Sequence, residues 1–189
     1  MSDPSVCQAS TPVPTQLPQY SYAEEAMKGA TPAMVMLEKS GVEFAVHTFD
    51  HDLVDAEELG YGRAAAHALG VDESRVFKTL LAQSEKSAVV AIVPVSSQLS
   101  LKSLAQVLGV KRCDMVPAND AQRITGYVVG GISPFGQKKK LVTVVDVSAR
   151  DFPTIFVSGG RRGLDLEVSP VDLIRVLGAK SGAIASTDV

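Results

Sequence analysis

A lysine within an otherwise apolar strand pattern is the first residue of this sequence whose type and position could support chemistry. Residues 75–83 alternate in the manner of a β-strand, which places Val76, Lys78 and Leu80 on one face. A lysine among large apolar neighbours is either an edge-strand charge that opposes aggregation or a cation on the wall of a cavity. The strand pattern leaves both interpretations open. In the second, the adjacent Thr79 supplies a hydroxyl to the same site.

A glycine-rich segment at residues 130–136, Gly-Gly-Ile-Ser-Pro-Phe-Gly, is the second candidate. Adjacent glycines adopt conformations closed to other residues, so backbone N–H groups from Gly130 to Ile132 could hold a phosphate or a developing oxyanion. The segment has neither the GK(S/T) sequence of a P-loop nor the GxGxxG spacing of a dinucleotide site. Taken alone, such a segment is more often a simple turn.

Basic residues cluster at three places, namely Lys111-Arg112, Lys138-Lys139-Lys140 and Arg161-Arg162. A run of lysines is usually a solvated face. Two of the clusters adjoin glycine-rich turns, so loop amides and cations could bind one polyanion together. We therefore expect Lys138, Lys139, Arg161 and Arg162 to contact a polyanionic ligand.

Ser158 and Asp165 flank a predicted turn at residues 159–163 and could face each other across a hairpin. Ser158 lacks the G-x-S-x-G elbow of a nucleophilic serine, so a hydrogen-bonded pair that shapes the turn is the safer interpretation. His47 and His51 have i,i+4 spacing but belong to a strand pattern, and no third ligand is suggested nearby. We predict no metal and no cofactor.

The composition is that of a globular protein of 189 residues, 46% of them hydrophobic, with a net charge of −3. This charge argues against a protein that coats DNA or other nucleic acid non-specifically, but it permits a local basic surface. The two cysteines, Cys7 and Cys113, lie far apart and outside any CxxC motif, which favours the reducing cytoplasm. There is no apolar run of the ~18 residues that a membrane helix needs, so no membrane partner is expected.

The local patterns predict a single compact α+β domain. Helices are predicted at residues 23–28, 32–40, 55–69, 101–108, 118–123 and 170–177, and strands at residues 42–48, 75–83, 87–95, 141–147, 154–158 and 164–168. The strands outnumber the helices between them, which favours a curled mixed or antiparallel sheet flanked by helices over a doubly wound fold. Residues 1–22 are predicted to be a flexible extension, residues 23–180 the domain, and residues 181–189 a flexible tail.

Four sequence blocks occur in an order that points to a family. They are Phe77-Lys78-Thr79-Leu80, residues 126–134 (Gly-Tyr-Val-Val-Gly-Gly-Ile-Ser-Pro), residues 137–139 (Gln-Lys-Lys) and residues 157–165 (Val-Ser-Gly-Gly-Arg-Arg-Gly-Leu-Asp). Together they closely resemble the YbaK-type Cys-tRNA(Pro) deacylases. The wider superfamily includes the editing domain inserted in bacterial prolyl-tRNA synthetases. The resemblance extends over about residues 31–179.

The resemblance implies a compact α+β fold, which agrees with the local patterns. It implies that Lys78 is the essential lysine near the 3′-terminal nucleotide of the tRNA. It also implies that Gly131, Ser158 and Asp165 are catalytic positions of the same pocket and that Thr79 binds the substrate there.

Substrate contacts are expected from Phe49 and from Gly130, Ile132 and Ser133 of the glycine-rich segment. Phe49 stands where close relatives carry a tyrosine, so the aromatic wall is kept and a hydroxyl is lost.

The implied function is that of a cytoplasmic trans-editing enzyme that removes cysteine from tRNA(Pro), with prolyl-tRNA synthetase as a partner. The cysteine thiol is thought to attack its own ester and leave as a cyclic thiolactone, so neither a protein nucleophile nor a metal is needed. One alternative is a deacylase that uses water to release alanine or another small amino acid. Others are a non-catalytic module that binds tRNA or the synthetase and, ranked last, a binding site for free nucleotides.

Overall fold

The computed structural model describes residues 29–50 and 60–186. The predicted N-terminal extension, the predicted helix at residues 23–28 and His51 lie outside these residues. The helices are α1 (Pro32–Lys39), α2 (Tyr61–Leu69), α3 (Leu101–Leu108), α4 (Ala118–Thr125) and α5 (Pro170–Leu177), with 3₁₀ turns at Glu73–Arg75 and Val147–Asp151. The strands are β1 (Phe44–Thr48), β2 (Val76–Ser84), β3 (Ala88–Pro94), β4 (Gln98–Leu99), β5 (Cys113–Met115), β6 (Val142–Asp146), β7 (Ile155–Arg161), β8 (Leu164–Val168), β9 (Lys180–Gly182) and β10 (Ala185–Ser186).

A curled, mixed sheet of eight strands forms the centre of the fold. Its order is β1-β8-β7-β2-β3-β6-β9, and β5 pairs with β2 outside this path. The pairs β2–β7, β3–β6 and β6–β9 are parallel, whereas β2–β3 is the predicted antiparallel hairpin. This confirms the α+β class with a mixed sheet. Among the described helices, none is long and apolar enough to cross a bilayer.

One edge of β2 is shared between two different strands. Val76 and Phe77 pair with β7, whereas residues 82–84 pair with β5. Within the described residues, no strand pairs with residues 78–80 on this edge, and the carbonyl of Leu81 accepts the N–H of Val116 at 3.0 Å just beyond β5. The sheet therefore opens along the middle of β2.

Helices cover the sheet through separate apolar clusters. Leu37 of α1 and Leu173 of α5 are fully buried in the largest cluster. Leu104 of α3 is fully buried in a second. Helix α2 packs through Ala66 in a third. It lies close to the residue that follows β3, because a Cβ on Gly62 would meet the Val95 side chain at 2.4 Å.

The helix caps form as the sequence predicts. Thr31 Oγ1 accepts the N–H of Met34 at the start of α1, and Ser100 Oγ accepts the N–H of Ser103 at the start of α3. Gly109 ends α3 in the left-handed conformation. Two helix ends differ from the prediction. Helix α4 continues two residues beyond the predicted residue 123, and α2 begins at Tyr61 instead of residue 55, because Gly60 lies outside the helix with a φ of 79°; residues 55–59 lie outside the described residues.

The turn predicted at residues 159–163 is wrong in extent. Strand β7 continues to Arg161 with a bulge between Ser158 and Arg161, and Arg162-Gly163 alone make the turn to β8. Gly159 lies within the strand, and this position requires glycine because a Cβ there would fall 1.8 Å from Leu164 Cδ2. The glycines thus serve packing and the bulge rather than a long loop.

The flexible tail predicted from residue 181 is also wrong as far as residue 186. Strand β9 pairs with β6, β10 pairs with β4, and Ile184 is fully buried. The cause is the buried carboxylate of Asp146, whose Oδ2 accepts the N–H groups of Ile184 at 2.8 Å and Ala185 at 2.7 Å. Burial raises the pKa of Asp146, but hydrogen bonds from Ser148, Ala185 and Ile184 together hold it below its ordinary value.

We predict that Asp146→Ala destabilises the protein by about 2–4 kcal/mol, because the buried N–H of Ile184 and the half-buried N–H of Ala185 lose their acceptor. The contribution of Asp146 is present above the ordinary carboxyl pKa and is lost as the pH falls through its lowered value. Urea unfolding at pH 7 and below pH 4 measures both effects.

Asp72→Ala is the matched control. Asp72 accepts the N–H and hydroxyl of Ser74 as Asp146 accepts those of Ser148, but Asp72 is exposed. The difference between the two variants isolates the bonds to Ile184 and Ala185. Equal losses of stability would contradict the assignment.

Candidate active site along the open edge of strand β2

A cavity of about 630 Å³ lies where the edge of β2 is open. Consecutive residues of the strand, from Val76 to Leu81, line it, as expected for a cavity that runs along the open edge of a strand. The remaining wall comes from the start of α2 (Tyr61, Arg63), the segment after β3 (Ser96, Ser97), β5 and α4 (Met115, Ala118), the glycine-rich segment (Gly130, Ile132) and the β7–β8 hairpin (Ser158, Arg162, Asp165).

Lys78 is half-buried on the cavity wall. Burial lowers the pKa of its ammonium group, and the charge of Arg63 lowers it further. In the part of the chain that the structure describes, no carboxylate forms an ion pair with it. Among the described residues the cation has lost water without gaining a charged partner, and an anionic ligand group would supply one.

The hydroxyl of Thr79 is a second unsatisfied group at the same edge. Thr79 is 9% exposed, and within the described residues its Oγ1 is buried without a hydrogen-bond partner. A buried polar atom without a partner costs about 1–3 kcal/mol. Because this oxygen has almost no exposed surface, a ligand can bond to it only if neighbouring atoms shift.

The cavity is locally basic although the chain carries a net charge of −3. Its lining contains three cations, Arg63, Lys78 and Arg162, against one carboxyl group, that of Asp165, among the described residues. Such a local concentration of positive charge attracts a polyanion regardless of the net charge.

Asp165 and Ser158 face each other in the register of β7 and β8, as the sequence predicted. Asp165 is 6% exposed, and burial raises its pKa to about 6. Ser158 Oγ accepts the N–H of Gly160 at 3.4 Å, so this hydroxyl helps to shape the β7 bulge.

Two residues of the glycine-rich segment do not lie where the sequence predicted. Gly130 and Ile132 line the cavity, but Gly131 and Ser133 do not. The N–H of Gly131 donates to the carbonyl of Val128 at 2.9 Å, and a Cβ on Gly131 would lie 2.8 Å from the Arg161 backbone. Gly131 therefore lets the segment pack against the β7–β8 turn, and its amide is already used.

Ser133 is fully buried, and its Oγ accepts the N–H of Phe135 at 3.3 Å. This hydroxyl stabilises the glycine-rich segment from inside the protein. The expected substrate contact from Ser133 is therefore replaced by a structural one.

The predicted basic residues divide into two groups. Arg162 lines the cavity, whereas Arg161, Lys138 and Lys139 are exposed outside it. Lys138 lies beside Gly126, where an added Cβ would meet its Cε at 2.8 Å. The cations outside the cavity form an exposed surface rather than part of the pocket.

Phe49 lines the cavity, and its N–H donates to the carbonyl of Gly163 at 3.0 Å. Among the described residues, His47 belongs to no cluster of possible metal ligands. Its Nε2 lies 3.0 Å from the carboxylate of Glu167, which also bonds to Arg75 and Thr154. No group of possible metal ligands converges elsewhere in residues 29–50 and 60–186.

The sequence did not identify Tyr61, Arg63 and Met115 as site residues. Tyr61 and Arg63 belong to the first turn of α2, which lies inside the longer helix predicted at residues 55–69, and Met115 belongs to the short strand β5, for which no local pattern predicts a strand. An aromatic residue two positions before an arginine was the available signal for the first two.

Comparisons with known proteins point to one family. The sequence model of the family described as "Aminoacyl-tRNA editing domain" matches residues 60–176. The chain is 32% identical over 169 residues to an Enterococcus faecalis protein provisionally described as the Cys-tRNA(Pro)/Cys-tRNA(Cys) deacylase EbsC, covering 88% of this chain and 99% of that protein.

Two further similarities extend this result. The proline–tRNA ligase of Desulforamulus reducens is 26% identical over 129 residues, which cover 68% of this chain but only 22% of the ligase. A crystal structure provisionally described as a trans-editing enzyme for prolyl tRNA synthetase superposes with a TM-score of 0.69 at 20% identity, covering 89% of this chain and 99% of the other. At that identity the structural match supports the fold alone.

We predict that Gly131→Ala lowers stability by about 2–3 kcal/mol, because its methyl group would displace the Arg161 backbone. Gly41→Ala is the control: Gly41 has a positive φ of 62° but open space around it, so about 1 kcal/mol is expected from backbone strain alone. Chemical unfolding compares the variants. If Gly131→Ala is no less stable than Gly41→Ala, the close packing is wrong.

We predict that Asp165→Asn is more stable than the wild type at pH 7, by up to about 3 kcal/mol. The raised pKa means that the folded protein favours the protonated carboxyl group, so wild-type stability falls as the pH rises from the ordinary value of 3.8 to about 6. The free energies of unfolding of the two proteins should therefore diverge as the pH rises from 4 to about 6 and then differ by a constant amount up to pH 7. A difference that does not change with pH would contradict the burial of this carboxylate.

Proposed function

The chain belongs to the aminoacyl-tRNA editing domain family, as its ordered sequence blocks indicated, and we propose that it breaks the ester bond of a mischarged aminoacyl-tRNA in trans. The observation that supports this most strongly is the half-buried ammonium group of Lys78 on the cavity wall, for which the described residues provide no ion-pair partner. An RNA 3′ end offers this cation an anionic oxygen.

The proposed substrate is cysteine attached to tRNA(Pro). The description of EbsC supports this choice. The cavity supports it as well, because no histidine among the described residues lines it to act as a base for Ser158 or for another serine of the lining. A substrate that carries its own nucleophile suits such a site.

In the proposed reaction the cysteine sulfur attacks the carbonyl carbon of its own ester. A carbon–sulfur bond forms, the bond from carbon to the ribose oxygen breaks, and the thiol proton passes to that oxygen. The products are a cyclic thiolactone and tRNA with a free terminal hydroxyl. The protein's task is to hold the reacting atoms in line, which can supply roughly 7–11 kcal/mol of barrier lowering.

We assign roles to the cavity residues accordingly. Lys78 binds an anionic oxygen of the terminal nucleotide, and Thr79 donates to or accepts from a ribose or ester oxygen. The amides of Gly130 and Ile132 are the candidates for the developing oxyanion, which could add about 3 kcal/mol. Gly131 is left out of this role because its N–H already bonds to Val128.

A second candidate is a deacylase that releases alanine or another small amino acid by attack of water. Asp165 favours it, because a carboxyl group with a pKa of about 6 on the cavity wall is suited to act as a general base near neutral pH. Prolyl-tRNA synthetase is the proposed partner in both cases, supported by the similarity to part of a proline–tRNA ligase.

We predict that Lys78→Ala lowers the rate of deacylation by about 10²–10³-fold, the range seen when one preorganised electrostatic contact is removed. Lys102→Ala, which changes an exposed lysine on α3, should keep the wild-type rate. Single-turnover release from tRNA(Pro) charged with cysteine, alanine or proline measures the effect and identifies the cargo.

Each outcome of this panel has a distinct meaning. Release of cysteine alone supports attack by the substrate thiol, and release of alanine at a similar rate that Asp165→Asn abolishes supports water. Binding of charged tRNA without release of any amino acid would show a non-catalytic module and overturn the proposed activity. A fully active Lys78→Ala protein would overturn the assigned site.

A further inference from the structure

Arg162 and Tyr61 form a stacked pair at the mouth of the cavity. Arg162 Cζ lies 4.6 Å from the centroid of the Tyr61 ring, and Arg162 Nε donates to the carbonyl of Val129 at 3.0 Å. The Tyr61 ring also packs on Gly130, where an added Cβ would lie 2.8 Å from Cγ of the ring. All four residues line the cavity. The contacts join the β7–β8 turn, the start of α2 and the glycine-rich segment, and they hold the guanidinium plane in one place.

The neighbouring Arg161 lacks the contacts that hold the Arg162 guanidinium group in place, so the two residues can be compared. Arg161 carries the same charge and is also exposed, but it does not line the cavity. Its Nη1 points instead toward Gly29, 3.4 Å from where a Cβ would stand. A cation that only attracts phosphate needs no aromatic support, and the exposed residues Lys138 and Lys139 already offer such charge.

A flat guanidinium group supported by an aromatic ring is a surface on which a nucleobase stacks. Arg162 is exposed, so the guanidinium face turned away from Tyr61 can receive a second ring. Lys78 and Thr79 are more buried than this pair, which gives the cavity an outer planar part and an inner polar part. Its volume of about 630 Å³ exceeds what a single amino acid needs and falls in the range of nucleoside-sized ligands.

We propose that Arg162, supported by Tyr61, is the platform on which the terminal base of the RNA stacks while the aminoacyl end enters toward Lys78. This inference rests on the proposed deacylase function and adds to it a contact with the base itself. The platform recognises an aromatic base plane, not a phosphate charge. Replacing the planar side chain of Arg162 or removing the terminal base from the RNA should therefore lower kcat/KM by a similar factor.

The test is a cycle of two proteins and two substrates. Wild type and Arg162→Lys are each given an RNA minihelix charged with cysteine, or with alanine if that is the amino acid released. The minihelix ends either in adenosine or in an abasic ribose that keeps both hydroxyl groups. Arg161→Lys is the matched control, and thermal unfolding verifies that each variant is folded.

We expect loss of the base to lower kcat/KM of the wild type and of Arg161→Lys by about tenfold, which is within the range for one stacked base. For Arg162→Lys the adenosine substrate should be about tenfold poorer, and removal of the base should change kcat/KM less than about twofold. An Arg162→Lys protein that loses activity equally on both substrates, or loses none, would overturn the platform while leaving the deacylase intact. Absence of release by the wild type from the adenosine minihelix would overturn the proposed function and the platform with it.

Discussion

At each point along its length, strand β2 can pair with one neighbour on each edge. Strand β3 occupies one edge, and the other is taken by β7 at Val76 and Phe77 and by β5 at residues 82–84. Residues 78–80 lie between these two partners and must face something other than a strand. Because buried backbone groups need partners, such an opening is tolerable where water or a ligand can enter. The cavity, and with it every proposed contact to substrate, follows from this division of one strand edge.

The side chains at this opening are held in states that lower stability. Burial disfavours the charged forms of both Lys78 and Asp165, and Thr79 Oγ1 has no partner among the described residues. A ligand with anionic oxygens relieves the penalty at Lys78, so part of the free energy lost in folding returns in binding, whereas at Asp165 the same ligand favours the protonated carboxyl group. Positions that reduce stability thus line the site where an RNA 3′ end would be held, which is the usual relation between stability and function at a site.

Local sequence signals predicted most of the elements but not how they meet. The caps at Thr31 and Ser100 and the β2–β3 hairpin depend on neighbouring residues, and they formed as predicted. The division of the β2 edge depends on strands far apart in the chain, so no local pattern could indicate it. The same holds for the C-terminal segment, whose order comes from the distant carboxylate of Asp146. Sequence blocks placed Lys78 in the site, but the packing role of Gly131 required the Arg161 backbone beside it.

The most direct test is a crystal structure with a non-cleavable substrate analogue, an adenosine that carries cysteine through an amide at its 3′ position. The structure should show the amide carbonyl in the opening along residues 78–80, with an oxygen of the ligand within hydrogen-bond distance of Lys78 Nζ and another near Thr79 Oγ1. An analogue bound outside this opening, with no ligand oxygen within hydrogen-bond distance of Lys78 Nζ, would contradict the assignment of the site.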